Sequence, residues 1–438
     1  MYRSIAASGL LLCAMAAPAS TRPQYGGTLH VETLDTPDAL VRMLVFDRLT
    51  RFDANGGVSP ALAIRWSQDN NAQRWQFWLR PGVHFHDGTE MSTEDVVRSL
   101  NDACASHCPW KMVRAVGMSV VLTSDSPLPT LPEELARSIY IIAHKQAGGE
   151  LDGTGPFKTT SSGGNNAMLT AVNDAWSGRP FVDGIEIDGR RDMRAQLLDL
   201  SVGRADIVDL PPELVRQAMQ SHVVVTASSP VDMLALTLQG GRLRAPEQRR
   251  AIAEAVDRTA LWSVIYQKQG EASGSLLPNW LTGYAFLFSP LRNPARATEL
   301  AAAARMPLTL SADRNDPATQ LAAERIALNL HEAGLTVQVR PPGTPDVDIR
   351  LRCIHLEAND ARAGLHEMVR ELGADMDDGG GDAASLYRVE KTFLDDGTVV
   401  PLLWLPRDYA VNPRVRGLAL APDGTPLLAD VSLKADQP

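Results

Sequence analysis

A chain of 438 residues, 44% hydrophobic and 21% charged, is an ordinary globular composition. It is long enough for about two to four domains and for a core that needs neither disulfides nor a metal. The formal net charge of −10 is spread along the chain, which excludes the basic patch that a nucleic-acid partner requires and leaves no nucleic-acid role.

The first residues read as an export signal. Arg3 supplies a positive start, Ile5 to Ala17 form an apolar stretch too short to span a bilayer, and Ala17-Pro18-Ala19 offers small residues where a signal peptidase reads. Cleavage after Ala19 removes residues 1–19 and leaves a periplasmic chain. Cys13 offers a second reading as an acylated lipoprotein anchor, but Leu12 stands where that motif wants a small residue. No later segment is long and apolar enough to cross a membrane.

Gly26-Gly27 leads into a short first strand at Thr28 to Val31. Trp75, Phe77 and Leu79 alternate with Gln76, Trp78 and Arg80, the period of a half-buried strand. Pro81-Gly82 breaks it, and Asp87-Gly88 turns again. Ser92 then caps a helix whose first turn carries Glu94 and Asp95, where the dipole favours negative charge. Val96, Val97 and Leu100 make its inner stripe. Cys104 and Cys108 enclose His107. Ligands so crowded cannot all face one tetrahedral ion and no second ligand pair follows, so a local disulfide is preferred to a zinc site, with unpaired thiols as the alternative. Cys353 is left over as a buried thiol.

The later half changes character. Pro246 opens a helix with Ala251, Ile252, Ala255 and Val256 on one face. Leu308 to Ser311 is a strand, Asp316-Pro317 starts a helix faced by Ala322, Ile326, Leu330 and Ala333, and Gly334 ends it. Leu335, Val337 and Val339 alternate in a further strand. Strand, helix and strand with short links make a βαβ unit, hence a parallel pairing and an α/β lobe. Asp375 to Asp382 superficially resembles a calcium loop. Gly379 and Leu386 occupy positions that would need oxygen ligands, so it reads as an acidic loop and no metal site is expected.

Several segments carry a resemblance. Ala61-Leu62-Ala63-Ile64-Arg65-Trp66, then Trp75 through Arg80-Pro81-Gly82-Val83-His84-Phe85-His86-Asp87-Gly88-Thr89, then Glu94-Asp95-Val96, resemble the family 5 extracellular solute-binding proteins, receptors of ABC importers for peptides or nickel. Gly153-Thr154-Gly155-Pro156-Phe157, Asn173 to Trp176 with Pro180, Asp183-Gly184-Ile185, Arg249 to Arg258, Pro401-Leu402-Leu403 and Val415 to Leu418 continue it in order. His84 and His86 share a strand face, but the family keeps a histidine near His86 as part of the turn, so both are read as structural.

The resemblance implies an α/β, two-lobed periplasmic-binding-protein fold of class II (cluster C), with a small inserted subdomain and a shortened second lobe. Residues 20–53, 151–235 and 400–438 would form the first lobe, 54–150 the insertion, and 236–399 the second lobe. The hinge is expected near Met233-Leu234-Ala235-Leu236 and Val400 to Leu403. A solute held between the lobes would meet Glu32, Thr33 and Asp35 after the first strand, Met233 and Leu234 at the hinge, and Trp404, Arg407 and Asp408 beyond it. Asp would take an amine and Arg a carboxylate. The alternatives are surface charge for Arg407 and Asp408 and core packing for Trp404. The aromatic, Asp-rich stretch that family members carry after the strand matching Leu335 to Val339 is missing: Pro341 to Val399 holds only Tyr387 and Phe393 as aromatics. Ligand identity therefore does not transfer.

The expected function is the substrate-binding component of an ABC importer: a monomer that takes a small solute, a peptide among the candidates, to a membrane permease, without cofactor or turnover. No nucleophile elbow, zinc-protease helix, Walker loop or dinucleotide fingerprint is present. The alternative is an envelope module for sensing or interaction that keeps the fold but has lost strong ligand binding.

Overall fold

In the computed structural model, which describes residues 23–434 except 54–55, 105–107, 147, 221–222, 240, 302–306, 375 and 377–381, one eleven-stranded sheet runs through both lobes. The export signal, Cys13, His107 and most of the 375–382 loop lie outside the described residues. From one edge the sheet runs Phe157–Gly163, Asn166–Ala171, Gly184–Asp188, Thr28–Glu32 and Ile207–Asp209. Two long strands follow, Val399–Val411 and Val224–Leu238. Ile349–His355, Leu308–Ala312 and Val337–Val339 complete the other edge, and Glu271–Ala272 pairs with the first long strand. Thr28–Glu32 pairs in parallel with both of its neighbours, as Leu308–Ala312 does with its own. Both lobes are thus α/β, and the fold is the two-lobed one expected.

The βαβ unit of the second lobe forms for the local reasons its residues suggest. The Asp316 carboxylate accepts from the Thr319 amide at 2.8 Å, Pro317 fills the first turn, and Gly334, at φ +92°, ends the turn after Pro317–Glu332. Ala322, Ile326 and Leu330 are fully buried against Leu308, Leu310 and Ile349 in one core. Burial of each large aliphatic side chain stabilises by about 1.5–3 kcal/mol.

The inserted unit has a core of its own. Ala63–Gln68, Arg74–Leu79, Ser119–Thr123 and Met112–Val116 form a four-stranded sheet. Trp75, Phe77 and Leu79 pack beneath Val96 and Leu100 of the helix Thr93–Ala103. Ser92 and Asp95 make a reciprocal capping box at its start, and Cys104 is disulfide-bonded to Cys108 at its end.

This unit is rooted in the first lobe through buried polar contacts. The Asp87 amide donates to the Asp152 carboxylate at 2.8 Å, while within the first lobe Asp47 accepts from the Thr154 hydroxyl at 2.9 Å and the Trp176 indole at 2.7 Å. His86 donates from Nε2 to the Gly155 carbonyl at 2.9 Å, so this histidine is part of the turn, as the resemblance implied. Gly153 and Gly155 are required by proximity. A Cβ on Gly153 would lie 2.0 Å from the Val45 carbonyl oxygen, and one on Gly155 2.4 Å from that of Leu44. The Gly-Thr-Gly motif is therefore a close backbone crossing.

Two prolines mark the passage between lobes. Val224 to Ala227 pair with Val411 to Asp408 in the first lobe, whereas Asp232 to Leu238 pair with His355 to Ile349 in the second. Between them Pro230 stands opposite Pro406, with register shifts on both sides. Neither proline has an amide proton, so the ladder cannot close there. The break in the ladder thus falls at 228–231 and 405–407, a few residues from the segments Met233–Leu236 and Val400–Leu403 where a hinge is expected. Apolar composition marked the strands, but the missing donors mark the break.

Replacing Gly153 by alanine is expected to destabilise the protein by about 3 kcal/mol or more, because the obstacle is backbone and cannot move aside. Urea unfolding of Gly153→Ala, with Gly148→Ala as a control that meets nothing within 4 Å, checks this; equal midpoints would refute it.

Candidate functional site at the seam between the lobes

Parallel strands of both lobes point their carboxyl ends at the seam, where α/β sheets place ligands. Thr28–Glu32 leads to Thr33 and Asp35 on the first lobe, and Leu308–Ala312 leads to Asp313 and Arg314 on the second. Asp35 and Arg314 are both exposed and lie within electrostatic reach of one another. Arg314 has Cys353, Asp232 and Arg407 as further titratable neighbours, and makes no hydrogen bond or ion pair among the described residues.

A charge network backs this seam. Arg407 pairs with Asp232 at 3.2 Å, and the same carboxylate meets His355 Nδ1 at 2.7 Å. Burial opposes ionisation of Asp232, but Arg407 and His355 outweigh it and hold the carboxyl well below its usual range. Arg407 is thereby neutralised, while Arg314 keeps its charge free. The broken ladder is satisfied locally: the Ser228 hydroxyl accepts from the Arg407 amide at 2.9 Å, and the Trp280 indole donates to the Pro230 carbonyl at 2.8 Å.

Further along, Glu213 and Arg216 of the first lobe face Val264 and Gln267 of the second across an open groove of about 470 Å³. Gln267 donates to the Glu213 carbonyl at 2.7 Å, linking the lobes. Tyr266 is buried nearby, with Asp316, Glu213 and Cys353 as its charged or titratable neighbours. Cys353, expected as a buried thiol, is only partly buried and packs against the second lobe's core, and burial pushes its thiol up to about 12.

The residues singled out from sequence separate into three groups. Thr33, Asp35 and Arg407 come together at the seam: the Thr33 hydroxyl donates to Asp209 at 2.8 Å, and the charge of Asp35 reaches that carboxyl as well as Arg314. Glu32 turns into the first lobe beside Arg191 and Asp199, where burial and then Asp199 raise its carboxyl. Met233, Leu234 and Trp404 are at most 1% exposed and belong to the two cores on either face of the second lobe's sheet. The Trp404 indole donates to the Ser275 carbonyl, so core packing accounts for it and these three offer a solute no surface.

Asp408 stands apart. It is 5% exposed and neither of its oxygens has a hydrogen-bond partner among the described residues. Sequence reasoning did not single out Asp232, His355, Arg314 or Tyr266. Two signals were available: a lone acid between Val231 and Met233 in an apolar strand, and an arginine just past the carboxyl end of the strand opening the βαβ unit.

Comparison with known proteins follows this geometry. The family model for bacterial extracellular solute-binding proteins, family 5 Middle, matches residues 57–388. A probable di/tripeptide-binding protein 5 of Pseudomonas aeruginosa is 25% identical over 387 residues, covering 76% of this chain and 72% of its own. The periplasmic binding protein DppA of Helicobacter pylori, solved with the peptide STSA, superposes with a TM-score of 0.81 at 18% identity, over 94% of this chain and 99% of that one. The transcriptional regulator SgrR of Escherichia coli K12 is 27% identical over 159 residues, 33% of this chain and 28% of its own.

The unpartnered Asp408 has a pH signature. Burial pushes its carboxyl from 3.8 up to about 6, so ionisation costs folding energy. That cost is absent below about pH 4 and fully present above about pH 6, reaching about 3 kcal/mol at 1.36 kcal/mol per pH unit. Asp408→Asn should remove it, so the variant gains relative to the wild type as pH rises from 4 to 7. Urea-unfolding free energies across that range measure the difference; parallel profiles would contradict it.

Proposed function

The chain belongs to the family 5 bacterial extracellular solute-binding proteins, and from that premise we propose that it is the substrate-binding component of an ABC importer, which captures a peptide-like or other small solute between its lobes and delivers it to a membrane permease. The observation that carries this reading is the seam itself. Carboxyl ends of parallel strands from two lobes converge there, with the Asp35 carboxylate and the unpaired Arg314 guanidinium on opposite sides. Such a pair offers an ammonium and a carboxylate of one small molecule charge-assisted hydrogen bonds from different lobes, so that binding favours closure. The name of the Pseudomonas relative supports a short peptide as the solute class.

In this reading Thr33 and Asp35 form the first wall and Arg314 the second. Arg407, held by Asp232 and His355, shapes the floor, and Asp408 is a reserve carboxylate for a solute cation. The protein is exported to the periplasm, acts as a monomer and releases its solute unchanged. No described helix is long and apolar enough to cross a membrane. The stretch shared with SgrR favours a second reading, a sensing module that keeps the fold for signalling.

Isothermal titration of the mature chain, from Ser20 onward, with Ala-Ala and Ala-Ala-Ala tests the proposal. Saturable binding with the peptide recovered intact is expected. Asp35→Ala and Arg314→Ala should each weaken it by about tenfold to a hundredfold, as loss of one charged hydrogen bond implies. A wild type that binds neither peptide would turn the balance to the sensing module, and peptide cleavage would sink the receptor reading altogether.

A further inference from the structure

The inserted unit touches the second lobe at a buried ionic cluster, and we propose that this cluster is the latch of the cleft, so that solute enters and leaves where Arg137 parts from Glu357 and Glu367. The Arg137 side chain, 9% exposed, lies 3.3 Å from Glu134 of its own unit, 3.5 Å from Glu357 and 3.1 Å from Glu367 of the second lobe. The Ser138 hydroxyl donates to Glu357 at 3.3 Å, and Glu367 accepts from the Glu357 amide at 2.8 Å. Beside it, the Asn359 side chain donates to the Gly56 carbonyl. Tyr140 donates to Glu134 at 2.7 Å and keeps that carboxylate turned toward the arginine.

Topology makes this contact the one that yields. The inserted unit is joined to the first lobe by the chain itself, by His86 on the Gly155 carbonyl and by the Asp87 amide on the Asp152 carboxylate. The first lobe is joined to the second by two sheet strands. Inserted unit and second lobe share no strand pairing among the described residues, and the contacts above all use a side chain. The three bodies therefore form a ring with two firm joints and one side-chain joint. Rotation at the Pro230–Pro406 break opens the ring at the third joint, which lies on a different body from the hinge.

The charge count explains why one residue matters so much. Three carboxylates touch the Arg137 guanidinium, with Arg48 near Glu357 and His355 near Glu367 as further basic neighbours, and Glu367 is 4% exposed. Burial keeps the Glu367 carboxyl above its usual range even with Arg137 beside it. Without Arg137, Glu134 would face Glu357 and Glu367 without the guanidinium that touches all three, and like charges at that spacing repel. Arg137 is thus a positioning residue for capture: it holds the second lobe over the cleft without touching the solute.

The proposal rests on the seam being a solute cleft, but its first test needs no solute. Small-angle scattering of the solute-free chain should give a larger radius of gyration for Arg137→Ala than for the wild type, with Arg137→Lys in between. Glu357→Ala, which cuts the same link at a more exposed position, should expand the chain likewise and carries the test if the arginine variant does not fold. A local structural role would lower the melting temperature without changing the radius. Folded Arg137→Ala and Glu357→Ala with wild-type radii overturn the latch. Release of Ala-Ala should be about tenfold faster or more from either variant. Expansion without any Ala-Ala binding in the wild type would support the latch and count against the peptide-receptor reading.

Discussion

The molecule is organised around a sheet that must be continuous for stability and interrupted for motion. The two long strands Val224–Leu238 and Val399–Val411 carry hydrogen bonds from one lobe into the other, and Pro230 opposite Pro406 removes the donors at a single level. A strand pair without amide protons at one level bends there at little cost, because the bonds that bending would break are already missing. Beyond that level Asp232 to Leu238 are zipped to Ile349–His355.

Charge is distributed to suit this arrangement. Immediately beyond the break, Asp232 binds both Arg407 and His355 and fixes the second lobe's side of the hinge. Loss of one partner from a buried pair of this kind costs about 3–5 kcal/mol, because the remaining charge stays desolvated. Arg314 and Asp35, by contrast, keep exposed charges at the seam. Paired charges sit beside the break in the ladder, and the exposed charges of Asp35 and Arg314 sit at the seam. The Arg137 cluster is a paired group of the same kind between the inserted unit and the second lobe, which share no strand pairing among the described residues.

Much of the architecture was legible from local pattern. The alternation of Trp75, Phe77 and Leu79, the capping residues Ser92 and Asp316, and the terminating Gly334 each act within a few residues of chain. Their signals therefore survive without tertiary context. The Gly153-Thr154-Gly155 motif was visible as a motif, yet its cause, the approach of the Leu44–Val45 backbone, is a contact across about a hundred residues. The candidate site was less legible. Thr33, Asp35 and Arg407 reach the seam, whereas Met233, Leu234 and Trp404, equally near the crossing in sequence, point into the cores above and below the sheet. Strand alternation gives two faces, and only packing decides which of them is a lobe interior.

The sequence by itself determined the α/β class, the family resemblance and the acidic charge balance, because these rest on composition, period and short motifs. Only the tertiary structure decided where the long-strand ladder breaks, which charges are paired, and that Arg137 meets Glu357 and Glu367. Each of these is a relation between residues separated by many turns of chain. The energy of a charge depends on its partner and its burial, and neither is written locally.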